Sequence, residues 1–192
     1  MNKYLKELAT EILKNCQDGL TKVKFAKIIY FVHKGLVCQN LSNTNDLKFI
    51  RMPLGPVPIG FMELSKDPDF KVTHQTNMGP VYNSEVYKLS NSSLTFCEDK
   101  FSDVIKKLSH QLNRLTTSNL VDKSHSEPSW INNINGTEYF ISNDDLNLSL
   151  PVYSKTMTNK EDSQKLQEKL VEGMLDDIIS GSTSLEYPQS NN

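Results

Sequence analysis

The 192-residue chain contains few cysteines, and they lie far apart. Cys16, Cys38 and Cys97 form no C-x-x-C pair, and the four histidines are not clustered. This spacing supports neither a disulfide framework nor a zinc site. We therefore expect reduced thiols, as in a cytosolic protein, and no metal ion.

The sequence also lacks a long apolar run. No stretch approaches the roughly 18 consecutive apolar residues of a membrane span. Lys3, Lys6, Glu7 and Glu11 interrupt the N-terminal segment, where a secretory signal needs an apolar core. We expect a soluble, cytoplasmic protein without a membrane partner.

Several functional motifs are missing as well. Neither GxxxxGK[ST] nor GxGxxG nor GxSxG occurs, so the sequence gives no support for nucleotide binding or for the commonest hydrolase fold. The 21 Lys and Arg residues nearly balance the 23 Asp and Glu residues. This balance argues against a general polyanion binder, and we do not expect a nucleic-acid partner.

What the chain does contain is helical periodicity. Residues 2–16 have one apolar stripe, and a second helix after Thr21 places apolar side chains on a single face. That face comprises Phe25, Ile28, Ile29, Val32 and Leu36. The opposite side is expected to expose Lys24, Lys27 and Lys34, either to solvent or to an acidic partner. A third helix carries apolar residues from Phe101 to Leu115 and is expected to end by residues 116–119.

Shorter segments between the helices have strand character. A strand is expected over residues 47–52, and residues 70–76 and 81–89 are expected to form a hairpin in the same sheet. Gly55-Pro56 should turn sharply, and Pro58 should begin a short helix. A strand near residues 138–141 and a helix capped by residues 142–145 follow. The prediction is a mainly helical α+β single domain with a small antiparallel sheet.

The segment from Ser124 to Trp130 has two interpretations. Ser124 and Glu127 have the S-x-x-E spacing of a capping box, and Glu127-Pro128 suits the start of a helical turn. In this structural interpretation, His125 bonds to the Gly55-Pro56 corner and Trp130 packs on it. Alternatively, His125 and Glu127 hold a general base of an enzyme. His33 is expected to be a boundary histidine of the second helix.

Residues 154–180 comprise a polar linker and an acidic amphipathic helix at about 161–180. The helix would carry an apolar stripe of Leu166, Leu170, Met174 and Ile178. Three alternatives remain open: the stripe folds back on the domain, joins a homodimer, or lies in a groove of a partner. Residues 181–192 are expected to be disordered, so residues 1–153 form the predicted domain.

Three segments together resemble one known family. Lys27-Ile28-Ile29-Tyr30 in the second helix, Gly55-Pro56-Val57 at the corner and Ser124, His125, Glu127 and Trp130 occur in its order. The chain thus resembles Panacea-domain antitoxins, the SocA-like and GepA-like phage-associated proteins, over roughly residues 5–150. It differs in the strand before the corner, where the family often has tryptophan and this chain has Phe49 and Ile50.

The resemblance implies a non-enzymatic antitoxin of a toxin–antitoxin system. It would neutralise a toxin encoded beside it by direct, non-covalent binding, without a cofactor. One branch of the family implies an alternative, an adaptor that delivers the toxin to an AAA+ protease. The expected toxin-binding residues are Lys24, Lys27, Tyr30, Lys34, Gly55 and Pro56. The expected structural residues are His33, Ser124, His125, Glu127 and Trp130.

Overall fold

A computed structural model of the chain describes residues 2–76, 83–91 and 99–151. Its α-helices are α1 (Lys3–Lys14), α2 (Lys22–Cys38), α3 (Asp99–Asn113), α4 (Thr117–His125), α5 (Pro128–Ile131) and α6 (Asn143–Leu146). Its strands are β1 (Leu20–Thr21), β2 (Phe49–Ile50), β3 (Val57–Pro58), β4 (Phe70–Thr76), β5 (Asn83–Leu89) and β6 (Glu138–Tyr139). Two 3-10 turns span Thr44–Asp46 and Phe61–Lys66. The predicted linker, C-terminal helix and tail lie outside the described residues.

Helix α2 is the central element of the fold. Every residue from Phe25 to Leu36 is buried, and α1, α3 and α4 all pack against this helix. A helix that is buried on all sides belongs to the core and not to the surface. The expected exposed row is therefore wrong for Lys27 and Lys34, because the Pro56 corner and Glu127 cover the side of α2 that seemed free.

The strands form two separate antiparallel sheets. The first has the order β1-β5-β4 and contains the predicted hairpin, in which Phe70 pairs with Leu89. The second has the order β3-β2-β6, and Phe49 lies between Pro58 and Tyr139. The expectation of a single sheet is wrong because β2 takes its partners from the corner and from β6. The mainly helical α+β fold class is confirmed.

Two local predictions also need correction. Pro58 belongs to strand β3, and the following 3-10 turn begins only after Gly60, whose φ of +87° is left-handed. Residues 117–125, expected as the end of a helix and a loop, form the separate helix α4. Its start was missed although Thr116 is a suitable N-cap, and its hydroxyl accepts a hydrogen bond from the Asn119 amide.

Candidate functional site

A buried polar face of α2 lies at the centre of the candidate site. Lys27, Tyr30 and Lys34 are spaced one turn apart, so they share a side of the helix. Their side chains are essentially inaccessible to solvent. This face meets two segments distant in sequence, the Gly55-Pro56 corner and the start of α5 at Glu127. The three segments that resemble the family thus come together in space.

Glu127 is the acceptor for two residues of that face. The Lys34 ammonium donates to both carboxylate oxygens at 2.8 Å. The Tyr30 hydroxyl donates to Oε2 at 3.3 Å. Burial raises the pKa of Glu127 above its ordinary value, while the bonds from Lys34 and Tyr30 oppose that rise. A buried carboxylate needs such partners, and Glu127 has them from α2.

Lys27 lies one turn before Tyr30 and contacts the corner. Its ammonium donates to the Pro56 carbonyl oxygen at 2.7 Å. Burial lowers the pKa of Lys27 to about 7. Because an isolated ammonium is costly to bury, this lysine loses much of its charge near neutral pH. Lys24, the third member of the predicted row, is half-buried and donates to the Asn113 carbonyl at the end of α3.

Gly55 allows the corner to approach both neighbouring segments. Its φ of +93° lies in the left-handed region, which glycine adopts without strain. A Cβ at this position would overlap the Ser124 hydroxyl and would lie 2.8 Å from the Lys27 Cε. Gly55 therefore lies between α2 and α4, and no larger residue fits there.

The predicted capping box at Ser124 and Glu127 is wrong. Ser124 is the penultimate residue of α4, and its hydroxyl donates to the Val121 carbonyl. Glu127 is the N-cap of α5, but its side chain makes no capping bond, since it reaches Lys34. Pro128 does occupy the first turn of α5, as the sequence suggested.

Trp130 forms a stacked cluster at the edge of the site. The His125 ring stacks on the indole with ring centroids 4.0 Å apart and an interplanar angle of 18°. The Arg51 guanidinium lies 4.0 Å from the indole centroid. The indole N–H donates to the Met52 carbonyl at 3.2 Å, so the tryptophan is fixed to the strand before the corner.

His125 is a neutral histidine in this cluster. Burial, together with the charges of Lys27 and Arg51, lowers its pKa to about 4. The Pro53 backbone provides a hydrogen bond that partly opposes the shift. His125 therefore contacts the chain just before Gly55-Pro56, and its ring packs on Trp130. The Glu127 carboxylate instead bonds to Lys34 and Tyr30, so the two side chains have different partners.

His33 is fully buried, although the sequence placed it at the edge of the apolar face. The Tyr4 hydroxyl and His33 Nδ1 share a hydrogen bond of 2.9 Å, which joins α1 to α2. Burial lowers the pKa of His33 to about 4. The imidazole is thus a neutral core group at physiological pH.

Asp145 is a connecting residue that the sequence did not single out for this role. It is fully buried and accepts hydrogen bonds from the backbone amides of Ser129 and Ser142 and from both serine hydroxyls. The capping contact with Ser142 follows from local spacing. The contact with Ser129 joins α5 to α6 across 16 positions, and no local pattern indicates it.

The expected toxin-binding residues are therefore mostly inside the protein. Lys27, Tyr30, Lys34, Gly55 and Pro56 are buried. Within residues 2–76, 83–91 and 99–151, no three His, Cys, Asp or Glu side chains are grouped closely enough to hold a metal ion. In the same ranges no helix is both long and apolar enough to cross a bilayer.

The comparison with known families supports the resemblance noted from the motifs. A family model described as "Antitoxin SocA-like, Panacea domain" matches residues 25–131, which include the α2 segment, the corner and the segment up to Trp130. The sequence has no significant match among curated proteins or among solved structures. The match covers more than half of the chain and includes Glu127 together with its hydrogen-bond partners Tyr30 and Lys34. The chain belongs to the SocA-like antitoxin family, whose members share the Panacea domain.

Proposed function

We propose that this protein is an antitoxin that neutralises a toxin encoded beside it by direct, non-covalent binding in the cytoplasm. Membership of an antitoxin family supports the general role. The main observation in favour of direct binding is that apolar side chains around Trp130 are exposed. The polar residues of the three motifs bond to one another inside the protein and connect α2, the corner and α5. They therefore affect a partner only indirectly, by fixing the position of the exposed apolar side chains.

The proposed binding surface, termed the Trp130 surface, consists of Met52, Trp130, Ile131 and Ile134. The side chains of Met52, Ile131 and Ile134 are 41%, 58% and 78% exposed. Their segments meet at Arg51, which donates from Nε to the Trp130 carbonyl and pairs through its backbone with Thr137. Large apolar side chains that are grouped and exposed on a protein surface are typical of a protein-binding site.

The composition and rigidity of this surface also favour protein binding. Trp and Arg are enriched among the residues that contribute most to interfaces. Here the Trp130 indole is fixed by the His125 ring, the Arg51 guanidinium and the Met52 carbonyl. Because these groups are already ordered, little conformational entropy is lost when a toxin binds.

An enzymatic role for His125 and Glu127 receives less support. Both carboxylate oxygens of Glu127 accept hydrogen bonds from Lys34 in a site closed to solvent. The His125 ring is engaged by Trp130. A general base has to reach the proton that it abstracts. We therefore assign these residues to folding and to the support of the Trp130 surface.

Co-expression with the neighbouring gene product tests the proposal. The antitoxin should restore growth, and the toxin half-life measured in the same cells should remain unchanged or increase. If the toxin is instead degraded faster when this protein is present, the protein is a proteolytic adaptor. If growth is not restored although the neighbour is toxic, the antitoxin assignment is wrong for this pair.

A further inference from the structure

The outer side of α3 forms a second distinctive surface, which shares no residue with the Trp130 surface. Four basic-type side chains are exposed along this helix and directly after its last residue, and together they are termed the α3 basic face: Lys106, Lys107, His110 and Arg114. Asp103 lies one turn closer to the start of the helix. Positive charge therefore increases toward the C-terminal half of α3.

An open cavity of about 460 Å³ lies along this half of α3. Lys107, His110 and Arg114 line it together with the amides Gln111 and Asn113, and none of the described residues that line it carries a carboxylate. The Lys24 ammonium donates to the Asn113 carbonyl and adds a further positive group at the helix end. Such a cavity suits a ligand that presents several carboxylates.

The same chain contains a segment of matching charge. Residues 170–192 include Glu172, Asp176, Asp177 and Glu186 but no lysine or arginine. Leu150, near the start of the stretch that precedes this segment, lies close to α3, because the side chains of Leu150 and Leu108 both lie next to Gly35. The roughly 20 residues between Pro151 and Glu172 can span up to about 70 Å when extended, which is ample to reach the cavity.

We propose that the acidic segment, residues 170–192, binds the α3 basic face of its own chain. The argument rests on the opposite charges of the segment and the face and on the position of Leu150 close to α3. Tethering favours this occupant, since a segment of the same chain has an effective concentration in the millimolar range. An external acidic partner would then have to compete with the tail for this face.

Carbodiimide cross-linking of the full-length protein tests the proposal. At low ionic strength, peptide mapping of the monomer should show links from Lys106 or Lys107 to the four carboxylates. Salt at about 0.5 M should reduce their yield, because it shortens the range of exposed charge interactions to a few ångströms. Links to the exposed Lys66 and Lys71 should be rare by comparison. Equal labelling of both lysine pairs, or links found solely in dimers, would overturn the proposal.

Limited proteolysis gives a second readout that does not need the lysine amines. Chymotryptic cleavage after Leu185 should be slow in the wild type at low salt. The double variant K106E/K107E should be cleaved roughly fivefold faster or more, since each exposed ion pair changes such an equilibrium by up to about fivefold. The matched variant K66E/K71E should retain the wild-type rate. If both variants behave alike, the tail does not bind α3.

Discussion

Lys34 and Glu127 lie 93 positions apart in the chain and form a buried ion pair with two bonds of 2.8 Å. The two side chains are 0% and 3% exposed. Through this pair, α2 holds the start of α5 and thereby positions Trp130 three residues later. The most buried residues of the family motifs thus determine the geometry of the proposed binding surface.

The substitution Glu127→Gln tests the contribution of this pair. Because the change leaves the Lys34 ammonium buried without a carboxylate, we expect the free energy of unfolding to fall by about 3–5 kcal/mol. Urea denaturation followed by circular dichroism measures the loss. The double variant K34M/E127L serves as the control and should be more stable than E127Q, because it removes both charges. A loss below about 1 kcal/mol in E127Q would contradict the account.

Gly55→Ala should be strongly destabilising. The added methyl group would overlap the Ser124 hydroxyl and approach Lys27, and the φ of +93° disfavours any side chain. We expect a loss of about 2–4 kcal/mol from backbone strain and overpacking together. Thermal or urea unfolding provides the measurement.

Gly136 offers a matched control for that experiment. Its φ of +81° is similar, but a Cβ there would meet no atom within 4 Å. Gly136→Ala should therefore lose only the backbone contribution, about 1 kcal/mol. In the Gly55→Ala background, a further Ser124→Ala change should recover part of the stability. Equal losses at the two glycines would show that the space at the corner is not limiting.

The buried ammonium of Lys27 predicts a specific pH dependence. The pKa of Lys27 is lowered to about 7 in the folded protein, against an ordinary value of 10.5. Between these values the unfolded chain binds more protons, so the stability contributed by this group rises with pH. The destabilisation by the buried Lys27 ammonium has its full size below about pH 7, where Lys27 is protonated in both the folded and the unfolded state. It disappears above the pKa of Lys27 in the unfolded chain, where the amine is neutral in both states.

The substitution Lys27→Met isolates that contribution. Over about pH 7.5–8.5, the unfolding free energy of the wild type should rise relative to the variant by roughly 1 kcal/mol per pH unit. Denaturant unfolding at several pH values gives both slopes. Cys16, whose thiol pKa is raised by burial to about 11, is present in both proteins, so its contribution cancels in the difference. Parallel slopes in the two proteins would show that Lys27 stays charged.

The sequence predicted well those features that depend on local periodicity. The apolar faces of α1 and α2, the β4–β5 hairpin and the Ser142 cap of α6 all follow from spacing within a few residues. The family resemblance was likewise confirmed, because the family model matches residues 25–131.

The errors at the candidate site came from contacts between distant segments. Lysine at positions 27 and 34 normally indicates a solvated side of a helix. Here the partners are the Pro56 carbonyl and the Glu127 carboxylate, 29 and 93 positions away. The S-x-x-E spacing was misleading for the same reason, since Glu127 bonds across the core. Local patterns do not encode such pairings.

The Trp130 surface makes the proposed binding mechanism testable by mutation. The double variant I131E/I134E should abolish growth rescue while leaving the unfolding free energy within about 0.5 kcal/mol, because exposed side chains contribute little to folding. Met62, which is 51% exposed in a different segment, provides the matched control M62E. Full growth rescue by I131E/I134E would show that the toxin binds a different surface. Loss of growth rescue in M62E would show that the effect of the charged substitutions is nonspecific.

The most direct test of the central claim is co-purification of this protein with its co-expressed neighbour, combined with growth rescue in the same cells. The account predicts a stable complex of defined stoichiometry and restored growth. Restored growth without any complex, or a complex that leaves the toxin active, would contradict neutralisation by direct binding.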